Sequence, residues 1–499
     1  MHIVHIASEL APIAKVGGLA DVVYGLSKEL IQKGHQVDII IPYYDCMEKC
    51  GIEDLKIVHP NLLTYYDGKY VPSNVWKGRI ENLNVIFIEA NNDNPFFSRG
   101  SFYDCFDNID RFTFFSRAAL EYLLQSKSKP DVVHCHDWHT ALIPVLYHEI
   151  FKTFGLSIGG FIFTIHNLEH QGLCQPIILD KIGLNRSYLH HFSKLQDPHR
   201  HDHLNLLKGG IVYSTYFTTV SPNYAKEIQT PLGGCGLQNV INHYHYKFAG
   251  ILNGLDYTYW NTFIDPYLPY KYKVDDKIDH QLEDTKLLSG KEKNKDFLRN
   301  RLKMTSRDCP IVSCISRLVK QKGVDLIEHA LFKTLELGGQ FILLGTSPDP
   351  KISEHFQALK INLGHNPNVH FEMQYNEELS HQIYAGSDFF IVPSLFEPCG
   401  LTQLISFRYG TIPIVRKTGG LADTVFDVDF SHKSIEKRNG YTFDHADHQG
   451  LESALNRAIY QWFNNKGRFK KLVKIAMMQD FSWKIPSNYY LELYRRCAG

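Results

Sequence analysis

Residues 15–21 of this chain read KVGGLAD, and residues 417–423 read KTGGLAD, nearly the same seven residues 402 positions later. Paired glycines between an apolar run and a helix let backbone N–H groups come close to an anion. The positive end of such a helix favours a negative ligand by about 0.3–1 kcal/mol, and Lys15 adds a full charge. Lys15, Gly17 and Gly18 are therefore candidate anion-binding residues. The competing reading is an ordinary glycine-rich turn with a solvated lysine. The segment is neither a Walker A sequence nor a GxGxxG fingerprint.

Three further segments place reactive side chains just after apolar runs. In SRLVKQKG (316–323), Arg317 and Lys322 follow the run 310–316. A guanidinium grips phosphate oxygens in pairs and an ammonium acts as a compact charge, so together they could neutralise a departing diphosphate. A solvated basic loop is the alternative. In VPSLFEPCGLTQL (392–404), Glu397 precedes a turn that opens a helix. The backbone amides of Cys399, Gly400, Leu401 and Thr402 would face a phosphate there, and Glu397 could accept from sugar hydroxyls or simply offset the helix dipole. In TIHNL (164–168), His166 ends an apolar run, the position where active-site groups of α/β sheets collect. A lone histidine is also often structural.

HCHDWH (134–139) offers His134, His136, Asp137 and His139 as metal ligands, but the last two fall beyond the strand and their direction is open. PHRHDHL (198–204) is weaker still. The DVD at 427–429 has the form of a metal-binding DxD motif but follows a helix-like stretch. No metal site is expected.

These residues need strands and helix N-termini to hold them. Apolar runs at 2–7, 36–42, 83–89, 131–136, 160–166 and 216–221 alternate with amphipathic stretches such as 19–34, and the pattern resumes at 310–316, 340–346, 368–373, 388–393 and 411–416. That alternation predicts βαβ units and parallel sheets, twice over. The 499 residues exceed one ordinary core. We expect domains at 1–253 and 307–480, a charged linker or insertion at 254–306, and a terminal helix, 481–499, packing back on the first domain.

Lys+Arg and Asp+Glu both number 53, so no bulk attraction to nucleic acid or anionic membrane is expected. The ten cysteines are scattered without CxxC pairs, as in a reducing compartment. The first residues lack a basic n-region and carry Glu9, so no signal peptide is expected, and no run is long enough to cross a membrane. A cytoplasmic location follows as an expectation. Oligomeric state is left open, a homo-oligomer included.

In order and placement, KVGGLADV (15–22), HDWH (136–139), TIHNL (164–168), ILNGLD (251–256), SRLVKQKG (316–323), PSLFEPCGLTQL (393–404) and KTGGLADTV (417–425) resemble the motifs of the glycogen/starch synthase family over essentially the whole chain. FFSRGSFYDC (96–105) and RYGTIPIVRKTGGLADTVFDVD (408–429) resemble the starch synthase III/IV branch. Many related nucleotide-sugar transferases carry a second glutamate eight positions after the first. Here that position is Ile405, as in the synthase family.

The resemblance implies a GT-B fold, two doubly wound Rossmann-like domains facing across a cleft. It implies a retaining transfer of glucose from ADP-glucose to the non-reducing end of an α-1,4-glucan, with no cofactor. It implies that Lys15, His166, Arg317, Lys322 and Glu397 line the donor site, with Asp21, Asn167 and Asn253 near it. Tyr375 would stack on adenine, Leu401 and Thr402 would contact the diphosphate, and Thr418 and Gly419 would complete the second loop. Trp138 and His139 would stand on the acceptor side. The expected mechanism is same-face attack, with the leaving phosphate helping to deprotonate the acceptor, and Glu397 orienting the sugar in preference to forming a covalent adduct. Domain closure is expected to complete the site. The alternatives are a UDP-glucose-dependent GT-B transferase and a non-catalytic glucan-binding scaffold.

Overall fold

The computed structural model describes residues 1–90, 95–274 and 283–499. The chain forms two compact units, Met1–Gly254 with Trp483–Gly499, and Leu255–Ser482.

The first unit is built on a nine-stranded sheet. Its strands are β1 (His2–Ile6), β2 (Gln36–Pro42), β3 (Glu53–Tyr66), β4 (Lys69–Ile80), β5 (Leu83–Ala90), β6 (Val132–His136) and β7 (Gly160–Ile165). The short pair β8 (Leu173–Cys174) and β9 (Leu204–Asn205) stands apart, and β10 (Tyr216–Thr219) and β11 (Phe248–Gly250) complete the large sheet, ordered β11-β10-β7-β6-β1-β2-β5-β4-β3. From β11 to β5 all pairs are parallel. β6 and β7 are buried along their whole length; β7 reads as an almost continuous apolar run, while β6 carries His134 and His136 within its buried span.

The hairpin β3–β4 departs from the expected parallel pattern. It extends the sheet antiparallel from β5. β3 is an edge strand with three register shifts, largely exposed and containing Pro60. Its turn, Asp67-Gly68, has positive φ at both residues, the backbone a tight hairpin turn requires.

The second unit holds six parallel strands: β12 (Ile311–Arg317), β13 (Gln340–Thr346), β14 (Val369–Glu372), β15 (Phe389–Val392), β16 (Ile412–Arg416) and β17 (Tyr441–Phe443), ordered β14-β13-β12-β15-β16-β17. Most of their buried apolar side chains form a core with the helices His448–Asn464 and Lys466–Met478, while Ile311, Ile342 and Leu344 pack in a smaller cluster with Leu298 and Ile383.

The segment read from sequence as a linker or insertion, 254–306, belongs from Leu255 onward to this second unit wherever it is described; residues 275–282 of it lie outside the described residues. Trp260, Leu268 and Tyr272 enter the second core. Asp265 Oδ2 lies 2.8 Å from His381 Nδ1 and accepts from the Tyr409 hydroxyl. The helix Glu283–Arg301 is fastened by Lys291, whose ammonium donates to Ala385 O, Tyr409 O and Thr411 Oγ1 at 2.9–3.1 Å. Burial lowers this ammonium to about 7. High charge hid this packing, because the buried contacts are made by polar groups that find partners.

The helix Pro486–Ala498 lies in the first unit, where Tyr494 Oη is 2.8 Å from His134 Nδ1. Among the described residues no helix is long and apolar enough to cross a membrane.

Candidate active site

The first unit gathers its candidate residues at the carboxyl ends of β1, β6, β7 and β11. After β1 the chain runs through Lys15 and the glycine pair into the helix Gly18–Gln32. Lys15 Nζ donates to Asp21 Oδ1 at 2.9 Å, across the first turn of that helix. The amide of Gly17, expected to face an anion, and that of its neighbour Val16 donate to Glu9 Oε2 at 2.9 and 2.7 Å. Those two amides are thus partnered by the protein's own carboxylate. The Tyr103 hydroxyl holds the other oxygen, Glu9 Oε1, at 2.7 Å. Burial raises the Glu9 carboxyl above its ordinary range, against the pull of these donors. Glu9 lay in view at the end of the first apolar run. It was missed because a carboxylate was not expected on an anion-binding loop.

β6 ends in His136, and Asp137 follows with φ +55°. Asp137 Oδ1 accepts the backbone N–H of His166 at 2.7 Å, so two neighbouring strand ends are tied by one side chain. Burial pushes the Asp137 carboxyl up to about 7, although the backbone amides of His166 and Asn167 oppose the shift. His166 Nε2 lies 3.0 Å from His136 Nδ1. Burial lowers the His166 imidazole to about 3, so the ring is neutral at pH 7. Asn167 Oδ1 accepts from Glu169 N–H at 3.0 Å and shapes the following turn. Asn253, beyond β11, is buried with no partner for Oδ1 among the described residues, the kind of orphan acceptor a ligand hydroxyl can satisfy.

Trp138 and His139 stack with ring centroids 4.2 Å apart. His139 also packs against Tyr103 and Phe112, and burial lowers it to about 3. Beside Trp138 opens a cavity of about 480 Å³, lined among others by Glu169, His170, Asp197 and Arg200. The other histidines singled out as metal ligands have protein partners. His134 contacts Tyr494 Oη and Thr164 Oγ1, His136 contacts His5 and His166, and His199 Nε2 lies 3.1 Å from Gly236 O.

The second unit brings together Lys322 and Glu397. Lys322 ends the short turn Lys320–Lys322 after β12, and its ammonium donates to Glu397 Oε2 at 2.6 Å. Ser394 Oγ donates to the same oxygen at 2.9 Å. Glu397 is 6% exposed, and a carboxylate so placed is held in one orientation. Arg317 stands at the end of β12, its side chain exposed. Arg416, unnoticed in the sequence, clamps the turn that carries Glu397: its Nε donates to Ser394 O at 2.8 Å and its Nη2 to Leu395 O.

The glycines of the second KxGGLAD loop serve packing. A Cβ on Gly419 would lie 1.8 Å from Glu397 O, and one on Gly420 would lie 2.2 Å from Cys399 O. The Gly420 amide donates to Glu397 O at 3.1 Å. Thr418 and Gly419 are buried beneath that turn. Gly400 has φ +74°, and Leu401 precedes the helix Thr402–Arg408, which has no side-chain cap. Cys399 is buried, and its carbonyl accepts from Gln403 Nε2 at 3.1 Å. Tyr375, after β14, is 69% exposed, an aromatic face in solvent. Asp427 and Asp429, the DxD look-alike, bind Arg457 at 2.8–3.0 Å, and Asp429 also binds Arg468.

Comparison with known proteins gives a consistent picture. A family model described as the starch synthase catalytic domain matches residues 2–243, and one described as glycosyl transferases group 1 matches 296–475. The chain is 50% identical to the glycogen synthase of Protochlamydia amoebophila, with 100% of each covered. It is 47% identical to a probable starch synthase 4 of Arabidopsis thaliana, covering 100% of this chain and 47% of that one. The structure of the catalytic domain of starch synthase IV from Arabidopsis thaliana, bound to ADP and acarbose, superposes with a TM-score of 0.95 at 46% identity, over 100% of this chain and 99% of that one.

Proposed function

We propose, for a chain that belongs to the glycogen/starch synthase family and has the GT-B fold, that it transfers glucose from ADP-glucose to the non-reducing end of an α-1,4-glucan with retained configuration. The observation that carries this reading is Lys322 Nζ held 2.6 Å from Glu397 at the strand ends of the second unit, with Arg317 nearby in sequence. It is a built cation–carboxylate pair where a sugar diphosphate would dock. The ADP in the related Arabidopsis structure supports the choice of nucleotide.

The chemical need is to stabilise negative charge on the departing diphosphate. Arg317, Lys322 and the amides at Leu401 and Thr402 are the groups we assign to it, acting without a metal. Tyr375 is assigned to stack on the adenine. Glu397, fixed by Lys322 and Ser394, orients sugar hydroxyls. In the first unit, Lys15, His166 and Asn253 are assigned to the donor, and the cavity beside Trp138 to the glucan acceptor. Attack by the glucan 4-hydroxyl occurs on the face the diphosphate leaves, and a phosphate oxygen takes the proton.

The test is donor competition with glycogen as acceptor. ADP-glucose should support nucleotide release far better than UDP-glucose, with no loss of rate in EDTA. Preference for UDP-glucose would contradict the donor assignment, and a rapid-quench glycosyl adduct on Glu397 would contradict the mechanism. A cytoplasmic location belongs to the same proposal.

A further inference from the structure

Three histidine rings form a line through the first unit that ends at the candidate site. They stand on adjacent strands: His5 on β1, His136 on β6, and His166 just after β7. His5 Nδ1 lies 3.0 Å from His136 Nε2, and His136 Nδ1 lies 3.0 Å from His166 Nε2. His5 and His136 are fully buried. Burial lowers His5 and His166 to about 3 and holds His136 well below its ordinary value.

A neutral imidazole has one N–H and one bare nitrogen, and each N···N hydrogen bond needs one of each. Two such bonds in series leave only two arrangements. Either every proton points toward His166, or every proton points toward His5. The far end discriminates between them. His5 Nε2 is buried and has no partner among the described residues. With the protons pointing inward, that atom would be an N–H with no acceptor. With the protons pointing outward, it is a bare lone pair. Orphaned N–H groups are the rarer of the two in protein interiors. In the outward arrangement, His5 donates to His136 and His136 donates to His166 Nε2, leaving the His166 proton on Nδ1.

We propose that His5 and His136 are positioning residues that fix His166 as its Nδ1–H tautomer, so that this ring presents a hydrogen-bond donor to an oxygen of the bound sugar. This rests on the donor-site assignment above. Nδ1 is the nitrogen of His166 that has no partner among the described residues. The frame around the chain holds it in place: His134 stacks on His136 with ring centroids 4.2 Å apart, its own nitrogens taken by Tyr494 and Thr164, and Asp137 pins the His166 backbone.

The test uses full-length protein carrying ¹⁵N-histidine, with the His166 signals identified by their loss in His166→Gln. Ring ¹⁵N shifts separate protonated from bare nitrogens. In the wild type, His166 should be protonated at Nδ1 and bare at Nε2. His136→Leu should give mixed tautomers at His166 and lower kcat about tenfold, the worth of one hydrogen bond, with KM for ADP-glucose little changed. His136→Gln, whose amide can still donate, should restore both readings. A wild-type His166 protonated at Nε2 would overturn the proposal. So would an unchanged His166 tautomer in His136→Leu, or a metal ion bound stoichiometrically by the His5, His134 and His136 nitrogens, which lie within 4.8 Å of one another. If His136→Leu does not fold, the wild-type spectrum decides. That spectrum needs no turnover, so it stands or falls apart from the glucosyl-transfer reading.

Discussion

At the scale of single residues, charge placement decides the chemistry. Lys322 is fastened to Glu397 before any substrate arrives, so little ordering is left for the moment of reaction. Lys322→Ala should lower kcat by roughly 10²–10³, read as ADP release, with the folded state retained; a drop confined to KM would assign Lys322 to ground-state binding alone. Asp137 gives a prediction in pH. Its folded carboxyl is raised to about 7, so the folded state holds this proton more tightly than the unfolded chain. Stability from this group is therefore present below about pH 4 and is lost as pH rises to about 7, by as much as about 4 kcal/mol. Asp137→Asn removes that dependence while keeping an oxygen for the His166 amide. Denaturant unfolding at pH 5 and pH 8 should show the variant gaining on the wild type at the higher pH, and equal differences at both would contradict the assignment. Lys322 and Glu397 were legible in sequence because each follows a strand end. Glu9, Tyr103 and Arg416 were not, since the Glu9–Tyr103 pair and the backbone carbonyls that Arg416 reaches are brought near only by the fold.

At the scale of elements, the two KxGGLAD loops have separate tasks. The first offers two amides to Glu9. The second uses Gly419 and Gly420 to let one backbone lie against the turn that carries Glu397. Gly420→Ala would put a methyl group 2.2 Å from Cys399 O. We expect it to displace that turn and abolish measurable activity while far-UV circular dichroism is retained, whereas the open position Gly17 should accept alanine at the price of a few-fold in rate at most. Comparable losses at both positions would contradict this division. The runs that became β1, β2, β5, β6 and β7 were legible because burial on both faces leaves a mainly apolar signature, broken by few polar residues. The β3–β4 hairpin was not, because its edge strand is mostly exposed and carries Pro60. Its Asp67-Gly68 turn was the one available cue.

For the whole molecule, two sheets with separate cores each carry their candidate residues at parallel-strand ends. That repetition was readable from the strand–helix alternation. The membership of 255–272 in the second core was less readable, since its anchors Trp260 and Tyr272 lie in an irregular aromatic stretch with neither helical nor strand periodicity. The central claim is that the whole chain is an ADP-glucose-dependent, retaining α-1,4-glucosyltransferase. The most direct measurement is the stoichiometry of ADP released to glucose incorporated when the full-length protein is given ADP-glucose and glycogen, with the new linkage read by proton NMR. The account predicts release that depends on glycogen, one ADP per glucose, and only α-1,4 linkages. Absence of release, release without incorporation, or a β-linked product would contradict it.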